Sequence, residues 1–280
     1  GTSGRNPITF DNWNNSKILA YWKYDDATKP GKDSHSWLGR LNNIRTALQG
    51  QQGDRRLRLG IAGGEWKKMM ADATARTRFA SEVKKIIEQY DFDGVDFDFE
   101  WPTNASEYNN YSATVIQMRS TLGKYVYFTA SLHPVSFKIS PEAIDALDFI
   151  SYQCYGPAVM RFPYEQFVKD GEAAVAYGIP KNKLVMGVPF YGSTGSLIAA
   201  YCDFVNDGLA TTNEDTYTYK GNTYTFNSIE TIRKKARYVC EEDYAGIMSW
   251  DLATDIDITN NKSLLKVIKE EFEYYANPTE

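Results

Sequence analysis

The sequence predicts an α/β protein built as a closed parallel barrel, (β/α)8, and three observations lead there. Its 280 residues come close to the roughly 250 that one such barrel uses, enough to bury a core without cross-links. Short runs rich in β-branched and aromatic residues alternate with segments of helical spacing, the order expected of β/α units. In residues 90–102 the acids Asp96, Asp98 and Glu100 alternate with Val95, Phe97 and Phe99. A period of two puts the acids on one face of a strand and the apolar side chains on the other.

The segment before this strand repeats Phe79, Val83, Ile86, Ile87 and Tyr90 at helical spacing, an amphipathic helix leading into the strand. In a parallel barrel each strand's outer face packs on helices, so the acids must face the interior. Three carboxylates so close repel one another, and at least one should hold a proton near neutral pH, which is what a general acid requires. An ordinary half-solvated strand, with acids in water, fits this context poorly.

Taken in order, residues 1–16 form a polar lead, expected to be partly disordered, and residues 17–280 a single barrel domain. Lys17-Ile-Leu-Ala-Tyr-Trp22 reads as a first strand, and residues 25–36 as a loop rich in Asp, Lys, Gly and Pro. Helical spacing follows over residues 37–48 and a strand over 56–62. Residues 23–54 contain no convincing strand, so the second β/α unit is expected to be reduced or irregular. Residues 126–132 form the strand after the acid strand. Ser140-Pro141-Glu142 opens a helix or turn, with Ser140 as cap and Pro141 in the first position.

Further strands are expected over residues 148–156, 183–190 and 244–251, with helices over 229–238 and 264–274. Residues 193–228 are polar and read as irregular, apart from a hairpin in which 216–219 and 222–226 flank Lys220-Gly221. That segment is too short for a further domain, so no large insertion domain is expected.

Composition narrows the function classes. A formal charge of −5 argues against nucleic acid, whose phosphates call for a basic surface. No apolar run approaches the roughly 20 residues of a membrane span. Three cysteines and two histidines supply no metal spacing, and neither a metal nor an organic cofactor is expected. Cys202 and Cys240 could pair in an exported chain, although free buried thiols are the simpler expectation. Twenty tyrosines and six tryptophans suit stacking on sugars and equally suit a packed core.

The acid strand also carries a resemblance. Asp93-Gly-Val-Asp96-Phe-Asp98-Phe-Glu100-Trp-Pro resembles the DxxDxDxE signature of the family 18 glycoside hydrolases, the chitinases and endo-β-N-acetylglucosaminidases. Gly187-Val-Pro189-Phe-Tyr191-Gly192 is similar to the Gly-x-Pro-x-Tyr-Gly of that family's seventh strand, and Tyr244-Ala-Gly-Ile-Met248-Ser-Trp250-Asp251 to its eighth. The sixth ends Met-x-Tyr-Asp in the family; here it reads Gln153-Cys154-Tyr155-Gly156. The tyrosine is kept and the aspartate is lost.

The resemblance implies retaining, substrate-assisted cleavage of β-1,4-linked N-acetylglucosaminides. Glu100 is the implied proton donor, Asp98 the partner of the acetamido N–H, Asp96 the residue sharing a proton with Asp98, and Tyr155 the donor to the acetamido carbonyl. Trp250 would floor the sugar, and Tyr21, Trp101, Met248, Tyr191 and Gln153 would line the pocket. Tyr21 and Tyr191 also suit plain barrel filling. Asp93 reads as a structural turn or cap. The implied partner is an N-acetylglucosamine oligosaccharide or polysaccharide, acted on by a monomer in a secreted, periplasmic or cell-surface location. An endo-β-N-acetylglucosaminidase acting on N-glycan cores and a chitinase-like lectin remain open as alternatives.

Overall fold

A computed structural model describes residues 37–49, 56–63, 65–210 and 213–277. The lead over residues 1–16, the strand expected over 17–22 and Tyr21 lie outside these residues. The chain falls into two units, the first running to Ala130 and including Ile139–Asp148, the second formed by Ser131–Lys138 and Phe149–Glu280.

The first unit contains α1 (Trp37–Leu48), β1 (Arg58–Ala62), α2 (Trp66–Ala71), α3 (Ala73–Tyr90), β2 (Gly94–Asp98), α4 (Ala105–Leu122), most of β3 (Tyr127–Leu132) and α5 (Pro141–Ala146). Strands β1, β2 and β3 run parallel, with Gly60 opposite Asp96 and Asp96 opposite Thr129. The Asp72 carboxylate accepts from the Ala75 N–H at 2.7 Å and opens α3. Phe79, Val83, Ile86 and Ile87 are buried along one face of that helix.

Helix α4 lies in a stretch for which the sequence reading assigned no element. Asn104 caps it through Glu107 N–H at 3.0 Å, and Tyr111, Val115, Met118 and Leu122 form its buried stripe. Ser140 caps α5, with Pro141 in the first turn, as the sequence expects.

The second unit contains β4 (Phe149–Tyr152), α6 (Tyr164–Tyr177), β5 (Leu184–Pro189), β6 (Tyr191–Ser193), β7 (Ile198–Ala200), α7 (Tyr201–Asn206), β8 (Thr216–Tyr219), β9 (Asn222–Thr225), α8 (Ile229–Glu241), β10 (Gly246–Trp250) and α9 (Leu264–Ala276). Strand β5 pairs in parallel with β4 and with β10. The hairpin expected around Lys220-Gly221 is present, with φ of 49° and 78° at its two turn residues, the left-handed pair that matches strand twist.

The rest of residues 193–228 is more ordered than expected. Strands β7, β6, β9 and β8 form a four-stranded antiparallel sheet, and α7 leads out of β7. Phe204 of α7 is fully buried among Tyr217, Tyr219, Tyr224 and Phe226, with ring centroids 5.4 to 5.7 Å apart. Three-residue strands are too short to show a period of two, and an aromatic cluster supplies their stability instead. Cys154, Cys202 and Cys240 are free thiols.

Candidate active site

The acid strand is built as its alternation requires. Val95, Phe97 and Phe99 are buried. Phe97 meets Phe79 at 5.8 Å and Phe128 at 4.8 Å, while Phe99 lies 5.9 Å from Trp66, which in turn meets Tyr111. Each such ring stabilises the fold by about 1.5 to 3 kcal/mol through burial. This layer fixes one face of β2 against α2, α3 and α4, so Asp96 and Asp98 project from the other. Both acids are half-buried, and Glu100, two residues further on, is exposed. The Glu100–Trp101 peptide is cis, and Trp101 is half-buried.

Asp93 has the structural role expected of it. Its carboxylate accepts from the Leu57 N–H at 2.6 Å, and its own N–H donates to the Leu57 carbonyl at 2.9 Å, which fixes the register of β1 on β2. Asp96 has partners that the sequence did not reveal. The Arg58 guanidinium reaches its Oδ1 at 3.3 Å, and the Thr129 hydroxyl donates to the same oxygen. Arg58 also donates to Thr129. The deepest acid is thus held in a small network drawn from three neighbouring strands. Behind the strand, burial first and then the charges of Asp96 and Asp98 push the Tyr111 phenol well above its usual range.

In the second unit Tyr155 follows β4 and is buried. Its hydroxyl donates to Met248 Sδ at 3.4 Å, and its ring meets Tyr191 edge-on at 6.3 Å. Gly187 makes this placement possible, because a Cβ there would lie 2.8 Å from the Tyr155 ring and 2.6 Å from the Tyr152 carbonyl. Tyr191 is half-buried, Gln153 buried, and Trp250, at the end of β10, 54% exposed. Tyr155, Met248 and Tyr191 are therefore brought together.

Gly156, standing where the resemblance expects aspartate, has φ of 42°, and a Cβ there would lie 3.0 Å from the Tyr191 hydroxyl. That conformation favours glycine.

The sequence reading missed what supports Tyr155 and Tyr191. His133 Nε2 lies 2.7 Å from the Gly156 carbonyl and 3.0 Å from that of Tyr155. Under Tyr191 sits Phe162, with ring centroids 5.6 Å apart. The Phe162 carbonyl accepts from Lys235 Nζ at 2.7 Å and from Asn227 Nδ2 at 2.8 Å. Lys235 is wholly buried, and desolvation lowers its pKa to about 7. A histidine just past a strand was the one available signal for the first of these. Nothing local marks Lys235, whose spacing on α8 places it among core residues.

The signature acids, their apolar backing and the tyrosine cluster agree with a match of the glycosyl hydrolases family 18 model to residues 8–255. The chain belongs to that family. With membership comes the (β/α)8 barrel expected from the sequence, and chitinases are among the relatives the chain matches.

A probable chitinase 2 of Drosophila melanogaster is 23% identical over 78% of this chain and 60% of its own length, so the chain spans about three fifths of that relative. Among solved structures, the family 18 chitinase ChiB of Flavobacterium johnsoniae superposes with a TM-score of 0.70 at 25% identity, covering 83% of this chain and 79% of that one. A mutant class V chitinase of Nicotiana tobaccum, crystallised in complex with NAG4, gives a TM-score of 0.67 at 17% identity over 87% and 86% of the two chains.

Proposed function

We propose that this family 18 hydrolase cleaves β-1,4-linked N-acetylglucosaminides with retention, using the substrate's own 2-acetamido group as nucleophile. The observation that carries this reading is the single acid strand. Asp98 and Glu100 are two residues apart on one chain, roughly 6.8 Å along it, so both approach a sugar from the same side. Two-carboxylate mechanisms need acids on opposite sides of the scissile bond, whereas substrate assistance needs only a proton donor and something to hold the amide.

Glu100 delivers a proton to the leaving glycosidic oxygen as the acetamido carbonyl oxygen attacks the anomeric carbon, and an oxazolinium forms. Glu100, now ionised, takes a proton from the water that opens this ring at the anomeric carbon. The donor is thereby restored and the configuration retained. Asp98 accepts from the acetamido N–H and balances the positive ring, and Asp96, anchored on Arg58 and Thr129, holds the charge beneath it. Tyr155 donates to the acetamido carbonyl. Trp250 supplies an exposed aromatic face for the sugar, and Trp101, Met248, Tyr191 and Gln153, with Tyr21 outside the described residues, complete the contacts. The substrate class is extracellular in most settings, which supports a secreted, periplasmic or cell-surface location; no helix among the described residues is long and apolar enough to cross a membrane.

Hydrolysis of a fluorogenic N,N′-diacetylchitobioside beside a biantennary N-glycopeptide, with wild type and Glu100→Gln, tests the reading. Turnover of the chitobioside is expected, falling by about 10² to 10⁴ in the variant with binding nearly intact. Release of the glycan alone would move the substrate to N-glycan cores. Binding of chito-oligosaccharides without cleavage would make the protein a lectin and overturn the role given to Glu100.

A further inference from the structure

We propose that His133 is a positioning residue for the candidate sugar-binding tyrosine: its imidazole clamps the Tyr155–Gly156 backbone and so fixes where the Tyr155 hydroxyl points. The inference deepens the reading above and rests on it for the role of Tyr155. The hydrogen-bond geometry does not depend on that reading.

His133 stands directly after β3, in a tight turn closed by Ser136 N–H on the His133 carbonyl at 2.7 Å. Pro134 occupies the second position of that turn, where its fixed φ fits. One residue earlier, the Leu132 carbonyl accepts from the Gln153 N–H at 2.8 Å, which ties the turn to the end of β4. The imidazole is 1% exposed. Its Nδ1 lies 3.2 Å from the Val135 N–H and must accept. The proton therefore sits on Nε2, which donates to the carbonyls of both Gly156 and Tyr155.

Burial lowers the His133 pKa, and this preserves the neutral tautomer at neutral pH. With both nitrogens engaged and the ring inaccessible, His133 cannot serve as an acid or base toward substrate.

What the clamp controls is specific. Successive carbonyls of a pleated strand point opposite ways, yet two of them reach one nitrogen here, which the left-handed φ of 42° at Gly156 permits. The Tyr155 ring is already confined by Gly187, Met248 and Tyr191, so its remaining freedom lies in the backbone that His133 holds. A displacement of about 1 Å at such a contact can cost up to 10²-fold in rate.

The test uses the full chain and the fluorogenic chitobioside with His133→Gln, His133→Asn, His133→Leu, Tyr155→Phe and the Tyr155→Phe/His133→Asn double variant. Gln carries an N–H at the reach of Nε2. Asn can satisfy Val135 but falls short of the two carbonyls, so it keeps a polar partner in the turn if the Leu variant fails to fold. We expect kcat for His133→Gln within about threefold of wild type, and a loss of about tenfold or more for Asn and Leu. In the Tyr155→Phe background His133→Asn should add less than about twofold, because the two residues act as one unit. Additive losses, or equal losses in Gln and Asn, would overturn the proposal.

A second readout needs no turnover. In protein labelled with carbon-13 at the tyrosine ζ position, the Tyr155 resonance, assigned by its disappearance in Tyr155→Phe, should move in His133→Asn and stay in place in His133→Gln. An unmoved resonance in both would refute the clamp whatever the activity. A moved resonance in a protein that hydrolyses nothing would leave the clamp standing and remove the functional reading instead.

Discussion

The acid strand of the first unit is backed by aromatic rings, with polar support only at Asp96 from Arg58 and Thr129, whereas the tyrosine loop of the second is held chiefly by buried polar groups. Asp96 and Asp98 sit on a strand whose other face is sealed by Phe97, Phe99, Phe79, Phe128 and Trp66. Tyr155 and Tyr191 rest on buried polar groups, with His133 on one side and Lys235 and Asn227 holding the Phe162 carbonyl on the other. An apolar backing is insensitive to pH and tolerates local rearrangement, since ring packing has no single required geometry. A polar backing fixes direction, but each donor and acceptor in it must be satisfied and each titratable member brings pH into the fold.

The largest effect should come from opening the apolar side. Phe97 is fully buried, and Phe97→Ala is expected to cost about 3 to 5 kcal/mol, a fall in Tm on the order of 10 °C for a chain of this size. Thermal melts at pH 6 and pH 9 should show the same loss. A loss that changed with pH would mean that the carboxylates, and not the rings, carry the stability of this strand.

A smaller and opposite behaviour is expected of Lys235. Its pKa falls from 10.5 to about 7 on folding, so between those values the unfolded chain holds a proton that the folded chain lacks. Stability then rises with pH across that window, by on the order of 1 kcal/mol per pH unit at most, and below about 7 the full cost of burying the charge remains. Lys235→Met removes this dependence. Comparing melts of wild type and variant from pH 7 to 9.5, the wild type should gain on the variant as pH rises. A constant difference would show that the ammonium stays charged against its two acceptors, the Phe162 carbonyl and Asn227 Oδ1, each at 2.7 Å.

The same contrast explains what could be read in advance. The acid face, the helix before it, the cap at Ser140, and the Lys220-Gly221 hairpin are written in local spacing or turn chemistry. The cap at Asp93 was legible for the same reason. Arg58 on Asp96 and His133 on Gly156 join residues 38 and 23 positions apart, and no local pattern announces them. The β6–β7–α7 segment escaped notice because its strands have only three residues and its stability comes from rings brought together around Phe204. In the sequence Gly156 stands only as the loss of the aspartate that the resemblance expects. The structure adds a conformational reason for glycine there, φ of 42° with the Tyr191 hydroxyl close by.

Participation of the substrate's amide is tested most directly by a series of aryl N-acetylglucosaminides in which the acetyl group bears zero, one, two or three fluorines. Fluorine withdraws electrons from the carbonyl oxygen that must attack the anomeric carbon. With the amide as nucleophile, log kcat/KM should fall stepwise with each fluorine. A flat series would contradict that role, because a nucleophile supplied by water or by the protein would be indifferent to the basicity of that oxygen.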